Sequence, residues 1–174
     1  MSIAKIISGG QNGADRGGVR AAKERGIPTG GTMPKGWRTQ AGSRPEYATL
    51  YGMVEHTSKE WGPRTFANVA EADLTIRIAF VIDSPGERLT LRAIEQLGKP
   101  HADIVLGDNR GTGYIVHEQA IFDAIEVLWD VETKLGRNAV INVAGNSERT
   151  APGIGVVAES IVRLLIDGSC GGPL

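Results

Sequence analysis

The chain carries a single cysteine, Cys170, in 174 residues, so no internal disulfide can form. That usage fits a reducing compartment. No apolar run approaches the ~18–20 residues needed to cross a bilayer. The opening MSIAKIISGG has one lysine and too short an apolar run for a signal peptide. The expectation is a cytoplasmic protein with no membrane partner. Charge of one sign is also lacking: 19 Lys and Arg oppose 20 Asp and Glu, for a net charge of −1. This excludes a general nucleic-acid surface and makes any anion site local. His56, His101 and His117 stand in unrelated contexts without metal-ligand spacing, so no metal site is expected. There is no Gly-x-Ser-x-Gly elbow, and Cys170 in a Gly-rich tail is a poor nucleophile. Aromatic residues are few, at 5%, and Trp37, Trp61 and Trp129 read as packing residues, with Trp37 beside a basic loop.

Glycine is what the chain has in quantity, with 24 residues. Hydrophobic residues make up 41%, enough for one ordinary domain over residues 1–174. Ala4–Ser8 reads as a buried strand that stops at glycine. DRGGVRAAKERG follows as a helix, with Asp15 near its start as a cap and Gly26 closing it. IPTGG returns to extended chain, because Ile27-Pro28 cannot continue a helix. Leu74–Ile82 is a second strand, followed by the helix GERLTLRAIEQLG and the strand ADIVLG. A long helix over residues 114–135, the strand NAVINVAG and the amphipathic helix IGVVAESIVRLLID complete the pattern. Sustained alternation of strand and helix predicts a single-domain, Rossmann-like α/β fold, three-layered with a mostly parallel sheet. Residues 31–63 break the alternation, with turn residues and little periodicity. RTFANVAEAD reads as a short helix with Arg64 and Asn68 one turn apart on one face.

In such a sheet ligands bind beyond the carboxyl ends of the strands. SGGQNGADR occupies the first of those turns, and Gly9, Gly10 and Gly13 exceed what a tight turn needs. Backbone N–H groups there, with the amides opening the following helix, suit a phosphate or carboxylate. The stretch is neither a Walker A loop, since no Lys-Ser or Lys-Thr follows, nor Gly-x-Gly-x-x-Gly. Gly153-Ile-Gly155-Val-Val-Ala158 matches that second pattern formally, but no strand follows it to carry a ribose-binding acid. Lys35, Gly36 and Arg38 could add cationic donors, or form a solvated basic loop. NVAGNSERTAPGI is another strand-to-helix turn able to face the same crevice.

KIISGGQNGADR, GIPTGGTMPKGWR, RTFANVAEADLTI and NVAGNSERTAPGI, in this order, resemble the molybdenum carrier protein family. That family lies within the LOG-like, or lysine decarboxylase-like, Rossmann nucleotide-binding superfamily, which includes phosphoribohydrolases. The resemblance spans essentially the whole chain. It implies a homo-oligomer, dimer or tetramer, that carries or stores a phosphate-bearing small molecule: molybdenum cofactor (molybdopterin) or a related nucleotide. Carried over, the implied anion-binding positions are Gly9, Gly10, Gln11, Asn12, Gly13, Asp15, Arg16, Lys35 and Gly36, with Thr90 at the next strand-to-helix turn; Ser8, Gly86 and the helical pair Arg64 and Asn68, a ligand clamp or surface residues, are further candidate binding positions. Two departures stand out. Asn12 replaces the family's common threonine, and PGERLTLRA keeps only Pro85, Gly86 and Thr90 of the phosphoribohydrolase pattern Pro-Gly-Gly-x-Gly-Thr-x-x-Glu. Ala93 stands where that acid would be, which removes the expected partner for glycosidic hydrolysis. Glu87 adds negative charge near an anion site, to be offset by Arg88 or Arg92. A nucleotide-processing enzyme using Asp15 or Glu87, and a nucleotide-ligand sensor, are the alternatives to a binding protein.

Overall fold

In the computed structural model, which describes residues 3–170, the chain forms eleven strands and six helices among the described residues. The first βα unit is β1 (Lys5–Ile7), α1 (Ala14–Glu24) and β2 (Thr29–Gly30). Short elements follow: β3 (Thr32–Met33), β4 (Arg38–Thr39), β5 (Gly42–Ser43), α2 (Tyr47–Tyr51) and β6 (Val54–Glu55). Then come α3 (Trp61–Glu71), β7 (Leu74–Ala79), α4 (Pro85–Leu97), β8 (His101–Val105) and the ribbon β9 (Gly107–Asp108) with β10 (Tyr114–Ile115). The chain closes with α5 (Glu118–Leu135), β11 (Val140–Gly145) and α6 (Ile154–Ser169).

Five strands make one sheet in the order β2-β1-β11-β7-β8, every neighbouring pair parallel. The last strand of the chain therefore takes the central place. From β1 the chain crosses over toward one edge, and from β7 toward the other. The carboxyl ends of β1, β11 and β7 thus border the point where the winding reverses, where a crevice opens in sheets of this kind.

The two faces of the sheet differ. Ile6, Leu74, Ile76, Ile78, Ile104, Ile141 and Val143 join residues of α1, α5 and α6 in one large apolar core. Alternation along a strand sends the intervening side chains to the opposite face. There β7 and β11 carry Thr75, Arg77 and Asn142, and Asn142 donates to Thr75 Oγ1 at 3.3 Å. The helices on that side, α3 and α4, contribute a much smaller cluster of Val69, Ala93, Ile94 and Phe66. A polar sheet face under a thin apolar layer leaves room for a cavity.

Several boundaries depart from the sequence reading. Asp15 is not the cap of α1: Gly13 is, with no side-chain cap bond, and Asp15 lies in the first turn. The strand from Leu74 ends at Ala79 rather than Ile82, and residues 114–115 pair in a ribbon before α5 begins at Glu118. Residues 31–63 are ordered by a second small core, in which Val19, Met33, Tyr47, Tyr51 and Met53 pack with Trp37. Cys170 caps α6, and the tail beyond it lies outside the described residues. No helix among those residues is long and apolar enough to cross a membrane.

Candidate functional site

A cavity of about 500 Å³ lies at the reversal point, on the polar face of the sheet. Gly9, Gln11 and Asp15 reach it from the first turn, and Trp61, Arg64, Thr65 and Asn68 from α3. The start of α4 contributes Ser84 to Glu87 with Leu89 and Thr90, and β11 with its following turn contributes Asn142, Gly145, Asn146, Ser147, Arg149 and Thr150. Its size suits a small organic ligand.

The first turn is built around a carboxylate of its own. The N–H of Gln11 donates to Asp15 Oδ2 at 3.2 Å, and the N–H of Gly9 is also directed at that carboxylate. The N–H of Gly10 donates to Ser8 Oγ at 3.2 Å. Arg64 completes the arrangement, with Nη1 3.5 Å from Asp15 Oδ2 and both side chains largely buried. Burial raises the Asp15 pKa, against the opposing pull of Arg64 and the two amides. Burial likewise lowers that of Arg64, and Asp15 counters it. The Arg64 Nε has no hydrogen-bond partner.

The glycines of this turn have separate steric reasons. A Cβ on Gly9 would meet Arg64 Nη1 at 1.5 Å, so the guanidinium lies directly against the glycine. Gly13 has φ 128° and a Cβ there would stand 2.4 Å from the Asn146 carbonyl oxygen, in a region L side chains avoid.

Glu87 occupies the first turn of α4 and is 2% exposed. The cation facing it is neither Arg88 nor Arg92, as the sequence suggested, but Arg77 of β7, with Nη1 3.6 Å from Glu87 Oε2. Arg88 turns instead to the Asp83 carbonyl. Burial, more than the carboxylates of Asp15 and Asp103, pushes Glu87 up to about 7, although Arg77 opposes it. Asn146 ties this wall together. Its Oδ1 accepts from Phe80 N at 2.9 Å and Val81 N at 2.8 Å, and its Nδ2 donates to Val81 O at 3.0 Å and Glu87 Oε1 at 3.4 Å.

Of the candidate binding positions, Gly9, Gln11, Asp15, Arg64, Asn68, Gly86 and Thr90 line the cavity. Two of these are committed elsewhere. Asn68 clamps the backbone of Thr32, accepting from its N–H at 2.7 Å and donating to its carbonyl at 3.0 Å. Gln11 pins the β4–β5 hairpin, donating to Arg38 O at 3.3 Å and accepting from Gln40 N at 3.1 Å. Ser8, Gly10 and Gly13 shape the turn from behind. Asn12 gives its carbonyl to Glu148 N at 2.9 Å, and its buried Oδ1 has no partner. Arg16 is half-buried outside the wall. Lys35 is exposed and Gly36 donates to a Glu55 carboxylate oxygen, both away from the cavity. Trp61, not Trp37, stands at the site, with Arg38 and Arg64 5.5 and 5.8 Å from its ring centre. Asn142 and Arg149 were not singled out individually, although NVAGNSERTAPGI was seen as a possible wall of the crevice. Arg77 was missed, because one arginine inside LTIRIA reads as an interruption of a buried strand.

No curated protein matches the chain. Among solved structures, it is similar to the crystal structure of a protein from Syntrophus aciditrophicus SB named "Putative molybdenum carrier protein". The two share 32% sequence identity over 95% of this chain and 96% of that one, with a TM-score of 0.76. A family described as the circularly permutated YpsA SLOG family, cpYpsA, matches residues 6–166. That description agrees with a sheet whose central strand comes last in the chain. On these matches the chain belongs to the circularly permutated YpsA family of SLOG proteins.

Proposed function

We propose that this protein binds and carries a phosphate-bearing small molecule in the cavity at the reversal point, either molybdenum cofactor (a pterin bearing phosphate) or a related nucleotide. The observation that carries the reading is the Arg64 guanidinium. It lines the cavity, its only ion pair among the described residues is a 3.5 Å contact to Asp15, and its buried Nε is unsatisfied among those residues. A buried cation left short of partners favours an incoming anion. Exposed Arg149 on the opposite wall adds a second positive group. The Trp61 ring and the Asn142 amide offer a flat surface and a polar edge to a heterocycle. The name of the Syntrophus protein supports the same class of cargo. In the bound state the ligand's phosphate would meet Arg64 and Arg149, and the first turn would fix Arg64 through Asp15. The ligand supplies the redox chemistry in the molybdenum cofactor case; this chain holds and shields it.

Mass spectrometry of the natively purified protein, with calorimetric titration of nucleoside monophosphates and phosphorylated pterins, tests the reading. Stoichiometric binding that weakens at least tenfold in Arg64→Met is expected, since a charge-assisted contact is worth about 1.5–3 kcal/mol. Binding equal in wild type and variant sinks the site assignment. Glu87, with its ionisation near neutrality, favours a second reading in which the cavity processes a nucleotide by proton transfer. Turnover of a nucleotide panel that disappears in Glu87→Gln or Asp15→Asn would select it.

A further inference from the structure

Glu87 is a buried carboxylate whose two partners, Arg77 and Asn146, are both shared with other groups. From β7 it is faced by Arg77, but that guanidinium already holds Asp103 of β8, donating through Nε to Oδ1 at 2.8 Å and through Nη2 to Oδ2. One cation therefore serves two carboxylates. From the turn after β11 it is faced by neutral Asn146, whose Nδ2 lies closer to Val81 O, at 3.0 Å, than to Glu87 Oε1, at 3.4 Å, while exposed Arg149 of that turn lines the same cavity. From α1 it feels the like charge of Asp15, and the α3 cation, Arg64, sits on Asp15. On its own helix, Arg88 and Arg92 are exposed, and Arg88 bonds Asp83 O. Among the described residues, none donates a hydrogen bond to Glu87 Oε2. The helix N-terminus favours the ionised form by a fraction of what burial removes. This wall is also the one a ligand would touch.

We propose that Glu87 takes up a proton from solvent when a phosphate monoester enters the cavity, so that anion binding and protonation of this carboxyl group are coupled. The inference rests on the reading that the cavity takes a phosphate-bearing ligand. Its physical basis is electrostatic. A phosphate brings negative charge into a space already bordered by Asp15 and Glu87, and a like charge disfavours ionisation. Burial raises the Asp15 pKa as well, but two amides and Arg64 support its charge. Glu87 has no comparable support, so it is the group that yields. Once neutral, its O–H can donate to an anionic oxygen instead of repelling it. No covalent bond changes; one proton leaves the solvent and joins the carboxylate. The site thereby becomes a binding site whose affinity falls with rising pH across neutrality.

Calorimetry with AMP as the probe tests this, run near pH 7.5 in buffers of different ionisation enthalpy. The nucleotide's own ionisation is common to wild type and Glu87→Gln, so the difference between them isolates Glu87. Wild type should take up about 0.7 proton more than the variant, given a free group that ionises near 7. Its AMP affinity, relative to the variant's, should weaken about tenfold from pH 6 to pH 8, as the competent protonated fraction falls. Carbon-13 titration of glutamate carboxyls in ligand-free wild type gives a reading independent of the variant's folding, and one of them should titrate near neutrality. Equal proton uptake in the two proteins, or no glutamate titrating above about pH 5.5, overturns the coupling and leaves the binding reading intact. No binding of AMP at millimolar concentration, and none of a phosphorylated pterin either, overturns both.

Discussion

Placing a methyl group on Gly9 tests whether the first turn is shaped by its own arginine. A Cβ there would fall 1.5 Å from Arg64 Nη1, 2.4 Å from Arg64 Cζ and 2.9 Å from Asp15 Oδ2. The backbone is not the obstacle, since Gly9, unlike its neighbour Gly10, does not have a positive φ. Arg64 must move, and the packed site makes that costly. Overpacking of this kind costs about 1–3 kcal/mol, and separating Arg64 from buried Asp15 adds toward the 3–5 kcal/mol of a broken buried pair. Gly9→Ala should therefore lose at least about 2 kcal/mol in urea denaturation. In an Arg64→Met background the guanidinium atoms that clash are gone. There only the 2.9 Å approach to Asp15 Oδ2 remains, so the same change should cost no more than about 1 kcal/mol. The coupling energy is then about 1 kcal/mol or more, above the ~0.5 kcal/mol expected of independent sites. A Gly9→Ala cost that is the same in both backgrounds refutes the argument that Arg64 dictates this glycine.

Glu87 makes stability pH-dependent. Its carboxyl is raised from 4.5 to about 7 in the folded state, so folding binds its proton more tightly and stability falls as pH rises through that window. At about 1.4 kcal/mol per unit the loss between pH 4.5 and pH 8 is on the order of 3 kcal/mol. Urea denaturation of Glu87→Gln against wild type should show a gap that moves in the variant's favour from pH 5 to pH 8, and a constant gap contradicts this. Asn146→Ala removes the partner of the part-buried N–H groups of Phe80 and Val81, at about 0.5–1.5 kcal/mol for each hydrogen bond lost. Thermal denaturation should register a drop well beyond that of a surface substitution; a shift within surface-substitution range would mean the loop re-pairs without it. Gln11→Ala should speed amide exchange at Gln40, whose N–H it accepts, while global stability changes by less than about 1 kcal/mol. Unchanged exchange would show the hairpin is held by other contacts.

The strand-helix alternation was legible because it depends on local signals. Gly98 and Gly136 close α4 and α5 in the left-handed conformation, as their positions in the sequence indicate. Arg64 and Asn68 were placed correctly on one helical face, and that face does line the cavity. Their roles were not legible, since nothing near Asn68 in sequence reveals that it grips Thr32, 36 residues away. Arg77 shows the limit most clearly. Within LTIRIA its neighbours are buried and apolar, so periodicity hides the one charge that Glu87 requires. What the glycine cluster does not reveal is that two of the turn's amides, those of Gly9 and Gln11, face an internal carboxylate, Asp15.

Sequence alone determined the class of fold, the location of the first turn and seven of the residues that line the cavity. These follow from periodicity, capping residues and turn chemistry, all properties of a dozen residues or fewer. Tertiary structure decided which groups remain available. Inserting the last strand between β1 and β7 brings the turn after β11 against the first turn and α4. Charge balance depends on these long-range distances, so only the folded chain shows that Asp15 satisfies Arg64 incompletely and that Glu87 must share Arg77 with Asp103.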